Sequence, residues 1–211
     1  MLNNLLRFNK SQKYIIFDFE TESLNLFYNK PWQLSFVVAQ GGKIIEEHDY
    51  LIDWPDLKVG EEAAKINHFN LPDYNKLKQD SSKVLDCFES FLYNPDYIII
   101  GHNIIGFDIY IHNIYRRLLK KCPDYSYLER LVDTNCLSKA IKLQIPRKKH
   151  ESVFQWMSRL NSFHKRGLKT SQKQMLKENS INFKEELLHN SLYDVQMNFQ
   201  LFRKLIYQID I

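Results

Sequence analysis

The sequence has few long apolar runs. None exceeds four residues, Ile98-Ile99-Ile100 being representative, so no segment is long enough to span a bilayer. Residues 1–7 contain no apolar stretch of the kind a secretory signal requires. Glycine and proline are scarce at six each, which excludes collagen-like and low-complexity linker sequence. Cysteine is limited to Cys87, Cys122 and Cys136, spaced 35 and 14 apart. An odd number at those spacings suits neither a disulfide framework nor a zinc knuckle, and implies reduced thiols in a cytoplasmic protein. What is present is 44% hydrophobic and 26% charged residues over 211 positions, enough for one sizeable core. A single domain over 1–211 is therefore expected, with an N-terminal extension over 1–12.

Acids are almost missing from one stretch. Between 139 and 177 there are eleven Lys or Arg residues and a single acid, Glu151, so the stretch carries +10. With a net charge of +4, the other 172 residues sum to −6. Such a stretch is either a solvated face or an electrostatic footprint for a polyanion. Composition leaves both readings open. The part from 139 to 170 is expected to be a basic helical insertion.

Periodicity supplies the architecture. Residues 14–20 form a β-branched and aromatic run and predict a strand. Two further strands, 33–40 and 43–51, flank Gly41-Gly42, a dipeptide suited to a tight hairpin. Ser81-Ser82 is the expected N-cap of a helix carrying Val84, Leu85, Phe88, Phe91 and Leu92. Residues 97–100 read as a strand buried on both faces, and Phe107 to Lys121 as a helix stopped before Pro123. A short strand at 131–133 follows, then helices, the last over about 190–208. Hairpin-linked strands followed by alternating strands and helices predict an α/β fold, a mixed five-stranded sheet with an antiparallel meander and helices on both faces.

The chemistry starts on the first strand. Asp18 and Glu20 are two residues apart, so their side chains share a face, with Cα atoms roughly 7 Å apart. Ile15, Phe17 and Phe19 occupy the opposite face, which favours a central strand over a solvated edge. Carboxylates crowded on a buried strand require a cation between them, and oxygen ligands favour Mg²⁺ or Mn²⁺ over zinc. Asp108 lies where the fourth strand gives way to a helix, a frequent ligand position in open α/β sheets, though a first-turn acid also serves the helix dipole. Asp194 borders the apolar stripe of the last helix, and His189 stands at the junction leading into it.

In order, Phe17-Asp18-Phe19-Glu20-Thr21, His102-Asn103…Phe107-Asp108 and His189-x-Ser191-x-x-Asp194 resemble the three motifs of the DnaQ-like exonuclease superfamily. The separations are 88 residues from Glu20 to Asp108 and 86 from Asp108 to Asp194. Histidine five residues before the last Asp matches the DEDDh branch; the DEDDy branch has Tyr four before it, where this chain has Asn190. Ile66-Asn67-His68-Phe69 is similar to the family's His-Gly-Ile element, and Asp133-Thr134 precedes a helix as in the family. Glu22-Ser23 departs from the usual Thr-Gly, Phe69 replaces Gly, and Ser191 replaces Ala.

The resemblance implies an RNase H-like fold and 3′→5′ release of nucleoside monophosphates with two divalent ions, Mg²⁺ or Mn²⁺. Asp18, Glu20, Asp108 and Asp194 would be the metal ligands and His189 the general base. Thr21, Leu24, His68, His102 and Asn103 would hold the terminal nucleotide. Single-stranded DNA 3′ ends are the expected substrate, as for the proofreading subunit of a replicative polymerase, and any proofreading would need a separate DNA polymerase as partner. An exoribonuclease with the same chemistry is the alternative. A catalytically silent nucleic-acid-binding module is a third class, and it would be expected to have lost a carboxylate.

Overall fold

The computed structural model describes residues 5–211, the side chain of Glu62 excepted. The first four residues of the expected N-terminal extension lie outside the described residues. Strands β1 (Lys13–Thr21), β2 (Pro31–Gln40) and β3 (Lys43–Leu51) pair antiparallel in sequence order. Gly41 and Gly42 turn the β2–β3 hairpin with φ of +59° and +81°, a region costly for residues with a Cβ. Strands β4 (Tyr97–Gly101) and β5 (Leu131–Asp133) add in parallel on the other side of β1, giving the order β3-β2-β1-β4-β5. The strand bearing Asp18 and Glu20 is therefore central. The charged residues of β3 occupy the sheet edge, where they oppose pairing with another chain.

Among the described residues the sheet is accompanied by eight α-helices: α1 (Glu61–Ile66), α2 (Leu71–Leu77), α3 (Ser81–Leu92), α4 (Asp108–Leu118), α5 (Thr134–Leu143), α6 (Val153–Asn161), α7 (Gln172–Glu178) and α8 (Ser191–Leu205). The period-two alternation of β1 sorts its side chains between two helical layers. Phe17 and Phe19 face α3 and α4, where Phe17 meets Phe88 at 4.9 Å and Phe19 meets Tyr115 at 6.4 Å between ring centroids. Tyr14, Ile16, Asp18 and Glu20 face the other way. There α8 runs antiparallel to β1: Phe202 stacks edge-on to Tyr14 at 5.3 Å, while the Ser191 hydroxyl donates to the Asp18 carbonyl at 3.1 Å. The N-terminal end of α8 is thus brought over the acidic end of the central strand.

Local details depart from the sequence expectations for identifiable reasons. The cap of α3 is Asp80, whose carboxylate accepts the Lys83 N–H at 2.9 Å, so Ser81 is the first helical residue instead of the cap. Helix α4 stops at Leu118, short of Lys121. The backbone turns left-handed at Lys120 (φ +59°) and the Lys121 N–H satisfies the Arg116 carbonyl at 2.8 Å. Helix α8 is shorter than 190–208 because Asn190 caps it, accepting the Tyr193 N–H at 3.0 Å. Within 139–170 only α6 is a separate helix; 139–143 complete α5, and loops fill the remainder. On β4, Ile98 is half-buried, so that strand is not covered evenly on both faces.

Candidate active site

Three elements deliver four carboxylates to one place. Asp18 and Glu20 come from the end of β1, just before the register shifts between Glu20 and Thr21. Asp108 opens α4; it is buried, and its Oδ1 accepts the Phe19 N–H at 3.1 Å, which ties it to the strand between the other two. Asp194 stands in the first turn of α8 and accepts the His189 N–H on Oδ2 at 3.0 Å.

Their electrostatics record the crowding. Burial raises Asp18 well above the ordinary carboxylate range, and Asp108, Glu20 and Asp194 push it further. Glu20 is raised to about 8 by burial and by Asp194 and Asp108, against the Asn67 side chain, which lowers it. Asp108 is raised to about 8 by burial, and Asp194 to about 6 by the same cause. In each case burial disfavours the charged form, and for Asp18 and Glu20 the neighbouring carboxylates add to it.

Whether these residues suit divalent metal can be tested on the site itself. Oδ1 of Asp194 is buried and has no hydrogen-bond partner, an acceptor left for something other than protein. A +2 ion offsets both the repulsion and the desolvation, so the donor set fits hard cations. Among the described residues no three His, Cys, Asp or Glu side chains are already closed into a metal cage. One oxygen each of Asp108 and Asp194 is engaged with backbone N–H, so part of the donor set is already committed to the fold.

Two histidines adjoin Asp194. His189 is exposed and left-handed (φ +68°), and burial of its ring together with the charges of His68 and Lys173 lowers its pKa, so the imidazole is neutral at pH 7. His68 is also left-handed (φ +55°), with Nε2 at 3.1 Å from the Leu188 carbonyl. Phe69, where the family has Gly, packs its ring on Trp32 at 4.9 Å and Tyr74 at 5.5 Å.

The other candidate nucleotide-holding residues are placed differently. Thr21 is buried and donates to the Ser23 carbonyl at 2.6 Å. Leu24 is 85% exposed on the loop leaving β1, together with Phe27 (80%) and Tyr28 (87%). His102 is half-buried with Nδ1 at 2.9 Å from the Thr134 hydroxyl, and burial pushes its pKa down to about 4. Asn103 is exposed and its N–H donates to Asp133 at 3.0 Å.

Asp133 is a positioning residue whose sequence signal was only an acid before a helix. Fully buried, it accepts the N–H groups of Asn103, Ile105, Asn135 and Cys136 at 2.8 to 3.3 Å. It thereby caps α5 and fixes the loop that leads to Asp108. Asn67, beside Glu20, was part of a recognised element but carried no sign of this contact. Nothing in the sequence singles out Phe27 and Tyr28, because exposure of an aromatic cannot be read from its neighbours in sequence.

The profile of the RNase_T family, described as exonuclease, matches residues 15–202. The chain belongs to this exonuclease family. Its superfamily is that of the DnaQ-like 3′→5′ exonucleases. The exonuclease chain is 30% identical over 109 residues to the PolC-type DNA polymerase III of Lacticaseibacillus paracasei, covering 51% of this chain and 7% of the polymerase. It is 35% identical over 101 residues to the PolC-type polymerase of Pediococcus pentosaceus, covering 47% of this chain and 7% of that one. E. coli Exonuclease I in complex with a dA16 oligonucleotide superposes with a TM-score of 0.74 at 14% identity, over 94% of this chain and 41% of that one. The last likeness establishes the shared RNase H-like fold. This exonuclease chain is thus a small part of the length of the polymerases it matches and under half of Exonuclease I.

Proposed function

We propose that the chain is a divalent-metal-dependent 3′→5′ exonuclease of the DEDDh type, releasing nucleoside monophosphates from single-stranded DNA ends. The observation that carries this reading is the convergence of Asp18, Glu20, Asp108 and Asp194, all raised in pKa and one with an orphaned buried oxygen. These four would hold two Mg²⁺ or Mn²⁺ ions. Two such ions, when bound, supply Lewis-acid stabilisation of the attacking and leaving oxygens of an in-line displacement.

The remaining work belongs to the chain. His189, neutral and at the rim, takes the proton of the attacking water and passes it to solvent. The water oxygen joins phosphorus, the bond from phosphorus to the upstream 3′ oxygen breaks, that oxygen takes up a proton from solvent to leave a 3′-hydroxyl, and the terminal nucleoside 5′-monophosphate departs. Asp133 and the Asp108–Phe19 hydrogen bond hold the carboxylates in register with β1. Leu24, Phe27 and Tyr28 offer apolar surface to the bases beside that strand.

DNA is favoured over RNA because the relatives are DNA polymerases and Exonuclease I was solved with DNA oligonucleotides. The polymerase relatives also support association with a DNA polymerase. The test is digestion of matched DNA and RNA strands, single- and double-stranded, in Mg²⁺ or Mn²⁺ and in EDTA. Metal-dependent release of mononucleotides from the 3′ end of single-stranded DNA is expected. Faster release from RNA would reassign the substrate, and EDTA-resistant cleavage would remove the metal reading.

A further inference from the structure

The fold sorts the eleven cations of 139–177. Lys142 pairs with Glu178 at 2.7 Å, Arg159 grips both oxygens of Glu151 at 2.7 Å, and Lys173 and Lys177 share Glu185 at 2.7 and 2.6 Å. Lys165 and Arg166, on the loop between α6 and α7, are exposed and have no carboxylate within ion-pair distance among the described residues. They line a cleft of about 460 Å³ together with Lys139, Phe163, Leu168 and Thr170.

Lys139 makes this a built site. It is only 8% exposed, yet no acid accompanies it. Its Nζ donates to the carbonyls of Leu160 at 3.3 Å and Asn161 at 3.1 Å, at the C-terminal end of α6. An ammonium has three donors, so one remains without a protein acceptor among the described residues. The C-terminal carbonyls of α6 supply part of the compensating negative charge, and an anion in the cleft would accept the remaining donor. A hydrogen bond joins the cleft's segment to the acidic centre: Gln172, two residues beyond Thr170, donates to the Asp194 carbonyl at 3.0 Å.

We propose that this cleft is a phosphate subsite that holds a backbone phosphodiester of the substrate strand upstream of the linkage being cut. Lys139, Lys165 and Arg166 supply the positive charge, and Phe163, 43% exposed, supplies a face for an adjoining base. The identity of the ligand rests on the exonuclease reading; the anion site itself does not. An anchoring cation cluster in this cleft would keep a strand in place between cuts.

The test compares two charge-matched variants of the full chain, K165Q/R166Q in the cleft and K148Q/K149Q on the exposed turn before α6. Binding is read by anisotropy of a labelled single strand whose 3′ linkages are phosphorothioate, in Mg²⁺ at several salt concentrations. The cleft variant is expected to bind about tenfold more weakly at 0.1 M salt, with the slope of log K against log salt reduced by about 0.7 per phosphate released. The turn variant should stay within about twofold of wild type. Equal weakening in both variants would show only net charge and overturn the site, as would an unchanged slope. Calorimetry with inorganic phosphate forms a further arm: phosphate binding lost in K165Q/R166Q, with strand affinity unchanged, would assign the cleft to free phosphate and overturn the backbone role. Lys139→Met should weaken the strand further; if it fails to fold, the surface pair decides alone. A wild type that binds through the cleft but releases no nucleotide would sink the exonuclease reading and leave the subsite standing.

Discussion

The backbone N–H of His189 donates to Oδ2 of Asp194 at 3.0 Å, closing a six-residue loop (189–194) around the N-terminus of α8. The proposed base and one proposed ligand are therefore joined by a single hydrogen bond, at a backbone position that is left-handed (φ +68°). The other oxygen of Asp194 stays free for a cation.

His189→Ala removes the ring and keeps the backbone N–H, so metal and strand binding should persist. Turnover should drop by roughly 10²–10⁴, the scale of lost general-base catalysis, with a flattened acid limb in the pH–rate profile. Single-turnover kinetics at saturating substrate decide it; near-wild-type rates would reduce His189 to a loop residue.

Asp18→Ala relieves the most crowded carboxylate, whose burial and three acidic neighbours raise its pKa. Nuclease activity should vanish, while the midpoint of thermal unfolding in EDTA should equal or exceed that of wild type. Added Mg²⁺ should raise the wild-type midpoint more than that of the variant, by ligand linkage. A variant markedly less stable than wild type in EDTA would contradict the electrostatic account.

His112 gives a pH signature away from the carboxylates. Fully buried, its ring lies at 3.0 Å from Glu89 and 3.2 Å from the Tyr127 hydroxyl, with Arg116 and Asp124 also acting on it. Burial lowers its pKa below the ordinary 6.5. The unfolded chain then takes up the proton first, so stability is full above pH 6.5 and declines as pH falls below it, by at most about 1.4 kcal/mol per pH unit for one proton. His102, pushed down to about 4, acts in the same direction over 6.5 to 4. Urea midpoints of wild type and His112→Gln between pH 7.5 and 5 should diverge, the variant losing less; parallel curves would contradict the assignment.

Asp133→Ala leaves four backbone N–H groups near the start of α5 without their acceptor. A loss of at least about 3 kcal/mol is expected, since unsatisfied buried donors cost roughly 1–3 kcal/mol each. Asp133→Asn retains one acceptor oxygen and should fall between. Urea unfolding measures both, and an alanine variant within about 1 kcal/mol of wild type would mean that water replaces the carboxylate.

The order of strands and helices was legible because it rests on short-range patterns: the alternation in β1, the Gly41-Gly42 turn, and the apolar spacing of α3 and α8. Their ends were less legible. Asp80 outcompetes Ser81 as a cap, and the turn at Lys120 closes α4 early, through hydrogen bonds that a periodic pattern does not contain. The three acidic motifs stood out in the same way, as local residue sets in a recognisable order.

By itself the sequence determined which side chains share a face of β1, that Asp18 and Glu20 point together, and that a large positive charge lies in one stretch. Only the tertiary structure decided where that charge acts. Glu178 and Glu185 lie just beyond the basic stretch and neutralise three of its lysines, while Lys139 is buried without an acid and Lys165 and Arg166 are left at a cleft. The reason is physical: a face in a strand follows from backbone geometry within a few residues, but pairing and desolvation of charge depend on contacts between segments that the chain brings together only on folding.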